Sequence, residues 1–149
     1  MTNINSSAEE YLKRGIANCE LGNYNEAIDN FSLAIEINPN DTTAYNNRGN
    51  SYESIRQYDK AIADYTKAIE INPNLAEAYN NRGLVYETLN LYVNAILDYD
   101  KATSLNPNIH RGVIYVIDKA IAYYSKAIVQ NPRDMISYYN RGIINNFNR

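Results

Sequence analysis

Apolar and aromatic positions in this 149-residue chain advance in steps of three and four, the spacing of one face of an α-helix. From Tyr45 they run through Gly49 and Tyr52, then resume at Tyr58, Ala61, Tyr65 and Ala68. The spacing predicts two helices in succession. The second ends at an Ile-Asn-Pro or Leu-Asn-Pro tripeptide. Proline disfavours the helical conformation in the residue before it, so Asn38, Asn72 and Asn106 are the expected stops. Ser7, with Glu10 three residues on, has the spacing of a capping box. It predicts a first helix starting near Ala8, after a polar tail over residues 1–7.

The two-helix pattern recurs every 34 residues. Tyr11, Tyr45 and Tyr79 keep that spacing, as do Gly15, Gly49 and Gly83. So do Ala27, Ala61 and Ala95, then Phe31, Tyr65 and Tyr99, then Ala34, Ala68 and Ala102, and finally Pro39, Pro73 and Pro107. The small residues have steric work: Gly49 and Gly83 let paired helices approach, and Ala61 and Ala95 do the same from the other side. The tyrosines fill the remaining volume, with hydroxyls that must reach a partner or solvent.

These residues carry a close resemblance to the tetratricopeptide repeat family. The matching segments are Y-N-N-R-G-x-x-Y-E at 45–53 and 79–87, and Y-x-x-A-I-x-D-Y-x-K-A at 58–68 and 92–102. The resemblance spans nearly the whole chain from residue 8. It implies an all-α, right-handed solenoid of helix-turn-helix units, with repeats over 8–41, 42–75 and 76–109. Tyrosine stands where the family usually has tryptophan. Arg48 and Arg82 stand in a column that more often holds leucine. Two roles are open to them: packing along the helix pair and meeting Asp64 or Asp98, or contacting a ligand carboxylate.

The period then breaks. Pro107 and Pro132 are 25 residues apart, so nine residues are missing, although Ala120, Tyr124 and Ala127 keep the second-helix spacing. Between Val113 and Asn131 there is neither glycine nor proline. A shortened repeat at 110–134 is therefore expected to form one continuous helix from about Ile109 to Gln130, roughly 33 Å long. Ile109, Val113, Ile117, Ala120, Tyr124 and Ala127 are expected on one face, widened by Ile114, Ile121 and Ile128. A terminal helix over 135–147 would follow, with Ile136, Tyr139, Ile143, Ile144 and Phe147 as an apolar end. Two arrangements cover such an end. The chain could form a homodimer through Val113, Ile117, Ile121, Ile136, Tyr139, Ile143 and Phe147, or the last helix could fold back on its own chain.

In the family the first helices line the concave side, and asparagine recurs there. Asn47, Asn81 and Asn140 precede Arg-Gly, with Asn46 and Asn80 one residue earlier and Asn50 beyond. Amides can pair with the backbone of an extended peptide without reading its side chains. The arrangement is similar to the asparagine ladder of O-linked N-acetylglucosamine transferases, although Lys13 and His110 interrupt it. Glu9, Glu20, Glu53, Glu77 and Glu87 share that face and would favour a basic peptide if they converged. The family's clamp for acidic chaperone tails is not expected: its Lys and Asn positions are Leu12 and Ile16 here, a later Lys position is Glu77, and only Asn47 fits.

Composition narrows the rest. Fourteen basic and seventeen acidic residues give a net charge of −3, which offers no attraction for nucleic acid. With one cysteine (Cys19) and one histidine (His110), no disulfide framework, multi-histidine metal site or nucleophile–base pair is expected. No apolar run reaches the roughly 18 residues of a membrane span, and the start is not a secretory signal. The expectation is a cytoplasmic, non-enzymatic scaffold that needs no cofactor or metal, binding an extended peptide in its concave groove. Homodimerisation is the alternative use.

Overall fold

The computed structural model describes residues 2–109 and 113–147, with side chains from residue 7 onward. Its described residues form eight α-helices and no strand: α1 (Thr2–Glu20), α2 (Tyr24–Ile37), α3 (Thr42–Ser54), α4 (Tyr58–Ile71), α5 (Ala76–Thr88), α6 (Tyr92–Leu105), α7 (Val113–Gln130) and α8 (Met135–Phe147). The first six pack as hairpins, α1 on α2, α3 on α4 and α5 on α6, and each hairpin stacks on the next. Asn38, Asn72 and Asn106 end their helices as expected, and each donates its N–H to the carbonyl of Ala34, Ala68 or Ala102 at 2.8–2.9 Å. α1 starts at Thr2 rather than near Ala8. Residues 2–7 contain neither proline nor glycine, so the helical backbone extends through the expected tail.

Each hairpin closes around an aromatic ring set on bare backbone. Phe31, Tyr65 and Tyr99 are at most 1% exposed. A Cβ added to Gly15, Gly49 or Gly83 would sit 2.4, 2.7 or 2.8 Å from these respective rings, far inside van der Waals contact. Ala27, Ala61 and Ala95, all fully buried, give the matching approach from the second helix.

Beside each of the latter two glycines an arginine ties three helices. Arg48 donates Nε and Nη2 to the two carboxylate oxygens of Asp64 at 2.7 and 2.8 Å, and Nη1 to Ser32 Oγ of the preceding unit at 3.0 Å. Arg82 repeats this with Asp98 (2.8 and 2.8 Å) and Thr66 Oγ1 (2.9 Å). The aspartates are 8% exposed and the arginines 18% and 16%, so this fork is largely shielded from water. Of the two roles the sequence leaves open, structure assigns packing. Arg14 shows what the carboxylate does: Asn30 stands in its place, and Arg14 turns to Glu10 on its own helix, exposed.

The shortened repeat is one helix, α7, ending at Gln130 as expected. It does not include Ile109, whose N–H closes the Asn-Pro turn on the Asn106 carbonyl (3.0 Å). His110, Arg111 and Gly112 lie outside the described residues. The buried face of α7 is Val116, Ile117, Ala120, Tyr124 and Ile128. Ile114, expected to widen it, is 71% exposed, and Val116 takes the inward place. With no first helix beneath it, Tyr124 packs edge-on against Tyr92 (6.2 Å between centroids) and Tyr123 (5.3 Å). α8 folds back on α7 and touches α6. Asp134 caps it, accepting from the Ile136 and Ser137 backbone N–H groups at 3.2 Å, and Ile144 is fully buried against Tyr92, Tyr99 and Ile117.

Gly83→Val is expected to lower stability by about 1–3 kcal/mol by forcing the Tyr99 ring away, whereas Gly142→Ala, where a Cβ meets no atom within 4 Å, is expected to raise it by up to about 1 kcal/mol through helix propensity. Thermal melts compare the two. Asp98→Asn is expected to cost about 3 kcal/mol by stranding a shielded guanidinium. Glu9→Gln, which breaks an exposed pair with Lys13, should leave stability nearly unchanged, because solvent screens the pair. Urea titration separates these.

Candidate functional site: the amide-lined inner face

Successive first helices touch one another, α1 with α3 and α3 with α5, while α2, α4 and α6 make no comparable contact. The stack therefore curves with its first helices inside. The amides expected on this face are there, but most bind each other. Asn81 Nδ2 donates to Asn50 Oδ1 at 3.0 Å and approaches Asn46 Oδ1 at 3.4 Å. Asn80 Nδ2 donates to Asn81 Oδ1 at 3.3 Å. Asn46 is only 8% exposed, so it braces α3 against α5 and is not offered to the groove. Asn140 stands instead beside the Tyr124 hydroxyl. Asn47 is half-buried, and among the described residues its side-chain amide has no hydrogen-bond partner. Asn80 Oδ1 is buried and unpaired.

The glutamates do not converge. The Tyr99 hydroxyl donates to Glu87 Oε2 at 2.9 Å, and Lys119 of α7 donates to Glu87 Oε1 at 3.0 Å. Glu87 is thus engaged within the chain, its side chain 15% exposed. The Tyr65 hydroxyl lies 2.7 Å from Asn50 Oδ1 and 3.0 Å from Glu53 Oε2, donating to one of them. Glu9 pairs with Lys13, and Glu20 and Glu77 are exposed. Sequence reasoning missed this engagement of Glu87, and the signal was Lys119, 32 residues on. Cys19 Sγ lies 3.2 Å from Ser51 Oγ, a link between the first two units.

Of the residues expected at a homodimer interface, Ile117 is 2% exposed and belongs to the core shared by α6, α7 and α8. Val113 and Ile121 pack against that core, half-buried. Ile143 is also half-buried. Ile136 (72% exposed), Tyr139 (70%) and Phe147 (40%) remain on the surface. An open cleft of about 430 Å³ is lined by Arg56, Gln57, Tyr58, Asp59, Lys60 and Leu89 at the helix turns. It shares no residue with the amide face. Among the described residues no group of three His, Cys, Asp or Glu is placed to hold a metal ion, and no helix is long and apolar enough to cross a membrane.

Burial, then the charge and hydrogen bond of Glu53, push the Tyr65 hydroxyl well above the ordinary tyrosine value, which is about 10. A proton held more tightly in the folded state stabilises it fully below about pH 10, and that contribution falls as pH rises further. Alkaline titration followed by tyrosinate absorbance and circular dichroism is expected to show Tyr65 ionising only as the chain unfolds. Tyr65→Phe should flatten the loss of stability above pH 10.

A tetratricopeptide repeat profile matches residues 42–75 and 76–109, and a second repeat profile of the same family matches 15–55. Comparison with curated proteins finds no match. Among solved structures, the tetratricopeptide domain of Arabidopsis OM64 is similar, with 26% identity and a TM-score of 0.73 over 78% of this chain and 96% of that one. MamA is 36% identical with a TM-score of 0.66, over 70% of this chain and 61% of that one. The second such domain of human RPAP3, in complex with an HSP70 peptide, is 23% identical with a TM-score of 0.71, over 78% and 97% of the two chains. With its 34-residue period, its rings seated on glycines and these profile matches, the chain belongs to the tetratricopeptide repeat family.

Proposed function

We propose that this chain is a protein-interaction scaffold, without catalysis of its own, that holds an extended segment of a partner along the inner face of α1, α3 and α5. The observation that carries this reading is the pair of unused amide groups on that face: the Asn47 side chain and the buried, unpaired Asn80 Oδ1. A buried acceptor without a donor costs about 1–3 kcal/mol. An arriving backbone N–H, with a small rotation of the Asn80 amide, offsets that cost. Asn46, Asn50 and Asn81 hold the two helices in register behind these groups, and Glu53 and Glu87 orient the tyrosine hydroxyls rather than contact the segment.

Membership of a family whose solved relatives include peptide complexes supports the reading. The acidic tails of chaperones are not the segment we propose: Leu12 and Ile16 offer no charge, and exposed Glu77 repels a carboxylate. Self-association is a second reading, favoured by the exposure of Ile136, Tyr139 and Phe147. A monomer mass independent of concentration in sedimentation equilibrium would remove it.

Pull-down with quantitative mass spectrometry tests the groove. Asn47→Ala combined with Asn80→Ala is expected to lower partner recovery about fivefold or more, one to two amide hydrogen bonds' worth, while the chain stays folded by circular dichroism. Undiminished recovery would exclude the inner face as the binding surface.

A further inference from the structure

The inner face changes character along the stack. In the 34-residue register Leu12, Ile16 and Cys19 of α1 stand where α3 has Asn46, Asn50 and Glu53. The amide-and-acid stripe of the second unit is thus an apolar stripe in the first. Part of the change has a cause inside the hairpin. The Tyr65 hydroxyl uses Asn50 or Glu53 as its acceptor, whereas Phe31, in the same place, has no hydroxyl, so Ile16 and Cys19 strand no donor there. That cause does not require a large side chain to face the groove. Yet Ile16 is 38% exposed, the one exposed large apolar residue among the described side chains of α1, α3 and α5. Leu12, one turn earlier, is half-buried. Asn46 and Asn50 meet Asn81 of the following unit, so the same positions of α1 look toward α3 and not toward anything before it. Glu20 lies one turn beyond Ile16. It is exposed and joins no ion pair among the described residues, and Ser54 and Thr88 hold its place in the next two units. Lys13, on the same helix, is held by Glu9 at 2.7 Å. The first unit therefore offers an apolar surface with an unanswered negative charge beside it.

We propose that Leu12, Ile16 and Glu20 form an anchoring subsite for one large apolar residue of the partner's extended segment, with a lysine or arginine within two residues of it. This rests on the inner-face reading and adds to it the chemistry of the segment. The apolar side chain covers Ile16 and Leu12. Its basic neighbour answers Glu20, a complementarity that shapes specificity more than affinity. Neighbouring packed helices stand about 10 Å apart, and an extended chain advances about 3.3 Å per residue. The anchor therefore lies about three residues from the backbone group that meets Asn47, and about six from the one that meets Asn80.

The probe is a phage library of random dodecapeptides selected on the full chain. Enriched peptides are expected to carry Leu, Ile, Met or Phe with Lys or Arg within two residues. Synthetic copies, labelled with fluorescein and read by anisotropy, are expected to bind Leu12→Asn combined with Ile16→Asn about tenfold more weakly, since the apolar burial is lost. Glu20→Ser should weaken them about threefold, a difference that vanishes at about 1 M salt. These exchanges install the residues that α3 carries at the same positions, and circular dichroism with thermal melting confirms that the variants fold. Asn47→Ala combined with Asn80→Ala reports separately on the inner-face reading. Peptides that need Asn47 and Asn80 but bind the Leu12→Asn, Ile16→Asn chain undiminished overturn the subsite and leave that reading intact. Peptides that need Leu12 and Ile16 alone keep the subsite and remove the amide contacts. An enriched set without a basic residue overturns the proposal, and so does a set that depends on neither pair. No enrichment over a folded control protein overturns both the subsite and the reading beneath it.

Discussion

The structure depends on how closely a helix backbone lets an aromatic ring approach. A single Cβ at Gly15, Gly49 or Gly83 would fall within 3 Å of the ring opposite. The tight helix pair exists only because three positions carry no side chain there. From that approach the rest follows. The buried ring of Tyr65 or Tyr99 points its hydroxyl to the inner face, where it meets Glu53 or Glu87. The neighbouring arginine is brought within reach of an aspartate on the partner helix and a hydroxyl on the preceding one. Phe31 fills the same space in the first unit without a hydroxyl, so that unit has the packing but lacks this link to the inner face.

Much of this was legible in the chain because it is periodic. A column that recurs every 34 residues reports a contact that recurs, and the glycines, alanines, rings and Asn-Pro stops all fall where the spacing put them. The arginine fork was also readable, since Arg48 to Asp64 and Arg82 to Asp98 are each 16 residues apart. What spacing does not reveal is how one unit is offset against the next. Asn81 meets Asn46 and Asn50 across 35 and 31 residues, and whether facing amides bond each other or face solvent depends on that offset. The phase of α7 was hidden for a different reason. Its apolar residues run nearly all round, so Ile114 and Val116 were equivalent until α6 and α8 decided which turned inward. In the structure α8 folds back on its own chain, one of the two ways to cover the same apolar residues, and Ile144 joins the core shared with α6 and α7.

The inner face and α8 are made of the same parts in different settings. Between α3 and α5 the parts are satisfied by one another, except for the groups at Asn47 and Asn80. At α8 the same tyrosine, arginine and glycine spacing recurs, and Arg141 reaches Ser125 of α7 as Arg48 reaches Ser32 of α2. The missing turn in the fourth repeat removes a first helix and lets Tyr92 and Tyr123 support Tyr124 in its stead.

In a linear stack, each helix is anchored by its neighbours alone. α3 has them on both sides; α8 leans on α7 and a little of α6. Among the described residues, then, α3 opens only when α2, α4 or α5 opens with it, and its amide hydrogens are expected to be among the slowest to exchange.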